Sequence, residues 1–243
     1  MATRRTSRGA TLTRDIIVAA AADVFQRDGL EGLTARKLAV ELGVSQMAVY
    51  RHFRSLAELH GHLVDRVVQL HTPAMTGEGH WADWLHETFC SFRRVLLEHP
   101  GILPLLGTTA YVGENALMVV EQVLDVLHRA GFGADDAATA FHALISYTIG
   151  ASTIEHVALA SIRAATGEGA ADSPWAPLVE QLSNPDAQRF RQVRAHALEL
   201  ARFASDERFE QGLRVIVAGL RDKLEASARR TSGGGGGSAT PAG

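Results

Sequence analysis

The chain has 243 residues, 46% of them apolar, a formal net charge of −3 and a single cysteine, Cys90. That length supports one large or two modest cores. One cysteine excludes an intrachain disulfide, no apolar run is long enough to span a bilayer, and the N-terminus lacks the apolar core of a signal peptide. A cytoplasmic protein without membrane contact is expected.

Charge is unevenly spread. Residues 1–60 carry nine Lys/Arg and six Asp/Glu, a balance of +3, which leaves −6 for the remainder. A basic head on an acidic body favours attraction to phosphate without a generally sticky surface.

Residues 1–11 are polar, with Arg4, Arg5 and Arg8 and no apolar periodicity. They are expected to be a disordered arm, either solvated or reaching a nucleic-acid backbone or minor groove. Thr13 caps a first helix in which Ile17, Ala20, Ala21, Val24 and Phe25 recur at helical spacing, and Asp28-Gly29 ends it. Residues 33–53 then predict two short helices joined by a tight turn. Thr34 caps the first, over 35–42, with Leu38, Ala39 and Leu42 inward. Gly43 stops it, because glycine enters the left-handed region without a Cβ penalty. Ser45 caps the second, with Val49 and Phe53 inward and Gln46, Met47, Ala48, Tyr50, Arg51 and His52 outside. Small Ala39 facing Val49 allows the steep crossing of a helix-turn-helix.

Ser55 and Glu58 form a capping box that opens a connecting helix, residues 55–71, with Leu59, Leu63, Val67 and Leu70 on its apolar face. Further helices are predicted over 81–99, 114–130, 135–165 and 206–226. Residues 102–106 predict a short helical piece, and 178–203 one broken helix or two. No strand is needed. The chain therefore reads as all-α: a basic arm (1–11), a helix-turn-helix domain (12–54), a helical body (55–228) and a flexible glycine-rich tail (229–243).

The outward face of the second short helix has the chemistry to enter a major groove of double-stranded DNA. Arg36 suits a bidentate guanine contact, Gln46 an adenine, and Met47 or Ala48 a thymine methyl. Thr34, Ser45, Tyr50, Arg51 and His52 suit phosphates, which fix register. Among the eleven histidines, His60 and His62 lie on different helix faces, and Glu58 with His62 reads as an ordinary exposed pair rather than a metal site. No Gly-x-Ser-x-Gly elbow, phosphate-cradling glycine loop or Cys/His cluster occurs, so neither catalytic residues nor a cofactor are expected.

The run from Leu12-Thr13-Arg14 through Phe25-Gln26-Arg27-Asp28-Gly29, the helix pair with its Tyr-x-His-Phe end, and Ser55-Leu56-Ala57-Glu58-Leu59 resemble the N-terminal domain of TetR-family transcriptional regulators. Leu56 stands where the tetracycline repressor branch has a lysine, which removes one backbone contact. The later half is similar to that branch in Trp81 to Arg93, Leu106-Gly107-Thr108, Gly131-Phe132, Thr148-Ile149-Gly150 and the segment from Phe209 to Leu220. The resemblance implies a homodimer whose long and last helices form a four-helix interface, with Phe209, Gly212, Leu213, Ile216, Gly219 and Leu220 as its contacts. Gly212 and Gly219 cost roughly 1 kcal/mol each against alanine in a helix, which favours a packing role.

The resemblance also implies a pocket for a small-molecule effector, lined by Thr88, Phe92, Leu105, Thr108, Val120, His142, Ser146 and Ile154. Leu105 and Ile154 stand where the branch holds a metal-binding histidine and glutamate, and neither donates to a hard cation. Glu155 comes one residue late, about 100° around the helix. An apolar or amphipathic effector is therefore expected in place of a metal chelate. The implied function is a repressor released from a palindromic operator by that effector. The alternatives are a DNA-binding regulator without a ligand and, from another class, a helical enzyme or interaction scaffold.

Overall fold

The computed structural model describes residues 11–70, 80–106, 112–166, 176–184, 189–202 and 205–233. Among them the fold is all-α. The helices are α1 (Arg14–Gly32), α2 (Ala35–Leu42), α3 (Gln46–His52), α4 (Leu56–Val68), α5 (Trp81–Glu98), a 3-10 turn (Pro100–Leu105), α6 (Glu114–Ala130), α7 (Ala134–Thr166), α8 (Ala176–Ser183), α9 (Arg191–Ala195), α10 (Ala197–Ala201) and α11 (Asp206–Gly233). Two compact units result: residues 1–72 with 95–119, and residues 73–94 with 120–243.

In the first unit the start of each helix follows from its cap. The Thr13 hydroxyl accepts from the Ile16 N–H, Thr34 from Lys37, Ser45 from Ala48 and Ser55 from Glu58. Each such cap contributes about 1 kcal/mol. Gly43 adopts φ +65° and ends α2. Gly29, at φ +68°, breaks α1 at the expected place, but one further turn runs to Gly32. The Glu58 carboxylate accepts from the Arg54 N–H (2.7 Å), one residue earlier than a regular capping box, and also pairs with Arg14 (3.1 Å).

Ile17, Ala21, Val24, Leu33, Leu38, Ala39, Val49, Phe53, Leu59 and Leu63 form one buried cluster. At roughly 1.5–3 kcal/mol for each fully buried large apolar side chain, this cluster outweighs the caps in holding the helices together. Because Leu59 and Leu63 belong to it, α4 packs with the helix pair. The helix also buries a second face, Gly61, Asp65 and Val68, while Leu70 is 61% exposed. The single apolar face expected for it, ending at Leu70, is thereby corrected.

In the second unit α7 runs against α11. Ala140, Leu144, Thr148 and Ser152 are buried along α7 at four-residue spacing. The two hydroxyls are satisfied locally, Thr148 donating to the Leu144 carbonyl and Ser152 to that of Thr148, both at 2.8 Å. From α11, Phe209, Leu213, Val217 and Leu220 are buried. The Arg93 guanidinium of α5 pairs with Glu155 of α7 and Asp206 of α11 and lies 5.0 Å from the Phe209 ring centroid. Residues 178–203 expected as one helix or two form α8, α9 and α10 where described. The last helix continues to Gly233, past the expected end near 226. The arm 1–10 and residues 234–243 lie outside the described residues.

Candidate nucleic-acid interface

The helix pair sorts its side chains largely as the periodicity predicts. Arg36, Gln46 and Arg51 are exposed, Met47 is 70% exposed and Tyr50 43%, and His52 is half-buried. Thr34 and Ser45 are exposed as well. Their oxygens accept the capping bonds, which leaves each hydroxyl hydrogen available to a phosphate.

Ala48 is the exception. At 6% exposure it lies beside Val49 under α3 and offers no methyl to a base. A seven-residue helix pressed on its neighbour buries more than one line of positions, so 48 and 49 go under together. Ala48 is therefore corrected from a base contact to a core residue. Val40, outside the set expected to face DNA, is 77% exposed one turn after Arg36 on α2. Spacing of i+4 from Arg36 is the signal that would have found it.

Electrostatics distinguish the outward cations from those that brace the unit. Lys37 pairs with Asp28 (2.9 Å), and Arg27 bridges Asp28 (3.1 Å) and Glu41 (3.0 Å). The Lys37 hydrogen bond holds the Asp28 carboxyl below the usual carboxylate range. Arg14 is taken by Glu58 and lies 5.3 Å from the Phe53 ring. Neither Arg36 nor Arg51 has an ion-pair partner among the described residues, so their charge is directed outward. Glu58 is engaged by Arg14 and Arg54. The His62 ring meets Phe53 edge-on at 5.4 Å, and burial pushes the pKa values of His60 and His62 down.

Of the eight residues expected to line an effector pocket, seven are described. Thr88, Phe92 and Leu105 are buried, at 4%, 6% and 2% exposure, and Val120 is half-buried. His142, Ser146 and Ile154 are exposed on α7, Ile154 at 55%. They lie two residues from the buried Ala140, Leu144 and Ser152, hence about 200° around the helix. Thr108 falls outside the described residues. One cavity, of about 750 Å³, lies in the first unit among Phe25, Leu63, Val67, Leu70 and Ile102. Another, of about 480 Å³, lies in the second unit among His86, Glu87, Arg214, Val217 and Arg221. None of the seven described residues lines either of these two cavities.

The expected dimer contacts also divide. Phe209, Leu213 and Leu220 are buried within the chain, and a Cβ at Gly212 would overlap the Tyr147 hydroxyl. That hydroxyl donates to the Phe209 carbonyl (3.1 Å), and the Tyr147 and Phe209 rings stack at 5.1 Å. These four residues of α11 pack within the chain. Ile216 is half-buried and Gly219 exposed with open space before it, beside Val215 at 73% exposure.

Comparison with known proteins decides the family. A model of bacterial regulatory proteins of the tetR family matches residues 17–62, and one of tetracyclin repressor-like C-terminal domains matches residues 72–224. The chain belongs to the TetR family. It is 34% identical over 156 residues to the HTH-type transcriptional repressor DrrR1 of Streptomyces coeruleorubidus, a match that covers 61% of this chain and only 56% of that one. To the tetracycline repressor protein class A from transposon 1721 of Escherichia coli it is 32% identical, across 86% of this chain and 90% of the relative. A structure of the Streptomyces coelicolor TetR family protein ActR in complex with actinorhodin superposes with a TM-score of 0.76 at 26% identity, covering 87% of this chain and 96% of that one. Proteins of the TetR family are transcriptional regulators, and the helix pair described above is this member's helix-turn-helix.

Proposed function

We propose that this TetR-family regulator is a cytoplasmic homodimeric repressor, not an enzyme, that reads a palindromic operator and releases it on binding a small apolar or amphipathic molecule. The observation that carries the reading is the outward face of α2 and α3. Arg36, Gln46, Met47, Tyr50 and Arg51 stand clear of the core on a helix pair whose starts are capped and whose remaining basic side chain, Lys37, is paired with Asp28. Arg36 reads a guanine, Gln46 an adenine and Met47 a thymine methyl. Thr34, Ser45, Tyr50, Arg51 and His52 hold phosphates.

One such reader spans a few base pairs, so twofold pairing supplies the rest of the site. The surface that suits a second copy is the part of α11 not used inside the chain: Val215, Ala218 and Gly219, with Ile216 at its edge. Release is a shift between two states. Near-complete release requires about 10⁴-fold preference of the effector for the released state, roughly 5.5 kcal/mol. That DrrR1 is named a repressor and that ActR was solved with actinorhodin support the repressor and effector parts of the reading. The burial of Thr88, Phe92 and Leu105 favours a second reading, in which the body dimerises and takes no ligand.

Selection of bound sequences from random DNA, followed by fluorescence anisotropy on the selected site, tests the reading. A palindrome is expected, and Arg36→Ala is expected to cost about 1–3 kcal/mol and to relax the base preference at one position of each half-site. Loss of no affinity in that variant, or selection of no palindrome, sinks it.

A further inference from the structure

Among the described residues, helix α6 opens without a side-chain cap of its own. Gly113 occupies the capping position, since its carbonyl accepts the first helical bond from the Leu117 N–H (3.0 Å), and glycine has no side chain to satisfy the next amides. A residue 50 positions away does this instead. Asp65, on α4, accepts at Oδ1 from the Ala116 N–H (3.0 Å) and at Oδ2 from the Asn115 N–H (3.5 Å) and the Asn115 side-chain amide (2.8 Å). It is 9% exposed. A Cβ at Gly113 would overlap the Asp65 carboxylate, so the absence of a cap at Gly113 is what admits the cap from α4.

The same helix carries Leu59 and Leu63 into the reader's core, and Asp65 projects roughly opposite to Leu63, about 200° around α4. One side of α4 is thus bound to the reader and the other to the N-terminus of α6, where a carboxylate meets the positive end of the helix. We infer that Asp65 is a positioning residue for DNA reading: by capping α6 from outside it fixes the angle at which α4 presents the recognition helix, and hence the half-site spacing the dimer accepts. A directional, charge-assisted bond at that place sets the helix angle more narrowly than apolar contact, which tolerates sliding. The inference rests on the palindrome reading given above.

The test compares the full-length wild type with Asn115→Ala, Asp65→Asn and Gly113→Ala on two DNAs: the selected palindrome, and the same palindrome with two base pairs inserted at its centre. Wild type is expected to prefer the first by on the order of 100-fold, because the insertion rotates and separates the half-sites. Asn115→Ala, which removes only one of the three bonds, is expected to reduce that preference, and Asp65→Asn and Gly113→Ala to bring it within about tenfold, a coupling of the usual size. Binding to an isolated half-site is expected to stay unchanged, which a merely destabilised reader would not show. If the two-DNA preference does not follow the loss of carboxylate bonds along this series, the inference is overturned, and the single-bond variant decides the matter even if Asp65→Asn does not fold. A wild type that binds no palindrome overturns the reading and this inference together.

Discussion

Replacing Arg93 by methionine perturbs the second unit at its most concentrated point. Arg93 is 4% exposed, and its guanidinium pairs with two carboxylates and faces the Phe209 ring. The two pairs are unequal. The Glu155 side chain is 13% exposed and that of Asp206 84%, so without Arg93 only Glu155 is left as a largely buried, uncompensated charge. Breaking a buried pair from one side costs about 3–5 kcal/mol, whereas an exposed partner contributes about 0–1 kcal/mol. Arg93→Met is thus expected to lower the melting temperature by roughly 10 °C in a protein of this size, and Asp206→Ala by no more than a few degrees. The double variant Arg93→Met/Glu155→Leu, which removes both buried charges and keeps the volume, is expected to return to within about 1 kcal/mol of wild type. Urea or thermal melts at one fixed protein concentration give these values, and Glu155→Leu alone completes the double-mutant cycle. An Asp206→Ala loss equal to that of Arg93→Met, or strict additivity in the double variant, would refute the reasoning.

Three further outcomes follow from particular side chains. Ala48→Leu is expected to destabilise the reader by about 1–3 kcal/mol through overpacking, as seen in a melt, because Ala48 is core and not a base contact. Gly212→Ala is expected to destabilise the monomeric chain, and Tyr147→Phe in the same background to recover part of the loss, since the clashing atom is the Tyr147 hydroxyl. A dimer-contact role for Gly212 predicts instead a change in the sedimentation-derived dissociation constant with no recovery. Burial pushes the Cys90 thiol from 9.0 up to about 11. Its labelling by iodoacetamide at pH 8 is expected to be about 100-fold slower than that of an exposed thiol, the thiolate being the nucleophile. The sign for stability follows: the folded chain holds the Cys90 proton more tightly than the unfolded one, so this contribution is complete below pH 9 and is lost as pH rises towards 11.

What the sequence determined by itself is everything whose physics is local. Thr34, Ser45 and Ser55 cap helices because the partner amide lies three residues on, and Gly43 ends α2 because only its own φ is at issue. The outward set Arg36, Gln46, Met47, Tyr50 and Arg51 follows from a 3.6-residue period. Tertiary structure decided what periodicity leaves open: which of several apolar or small-residue faces goes inside. It sent Ala48 under α3, turned His142, Ser146 and Ile154 of α7 outward, and used Phe209, Gly212, Leu213 and Leu220 within the chain. It also chose the partners of Arg93, 62 and 113 residues away, and of Asp65, 50 away. No window of local sequence contains those pairs, because a buried charge is matched only when the whole chain closes around it.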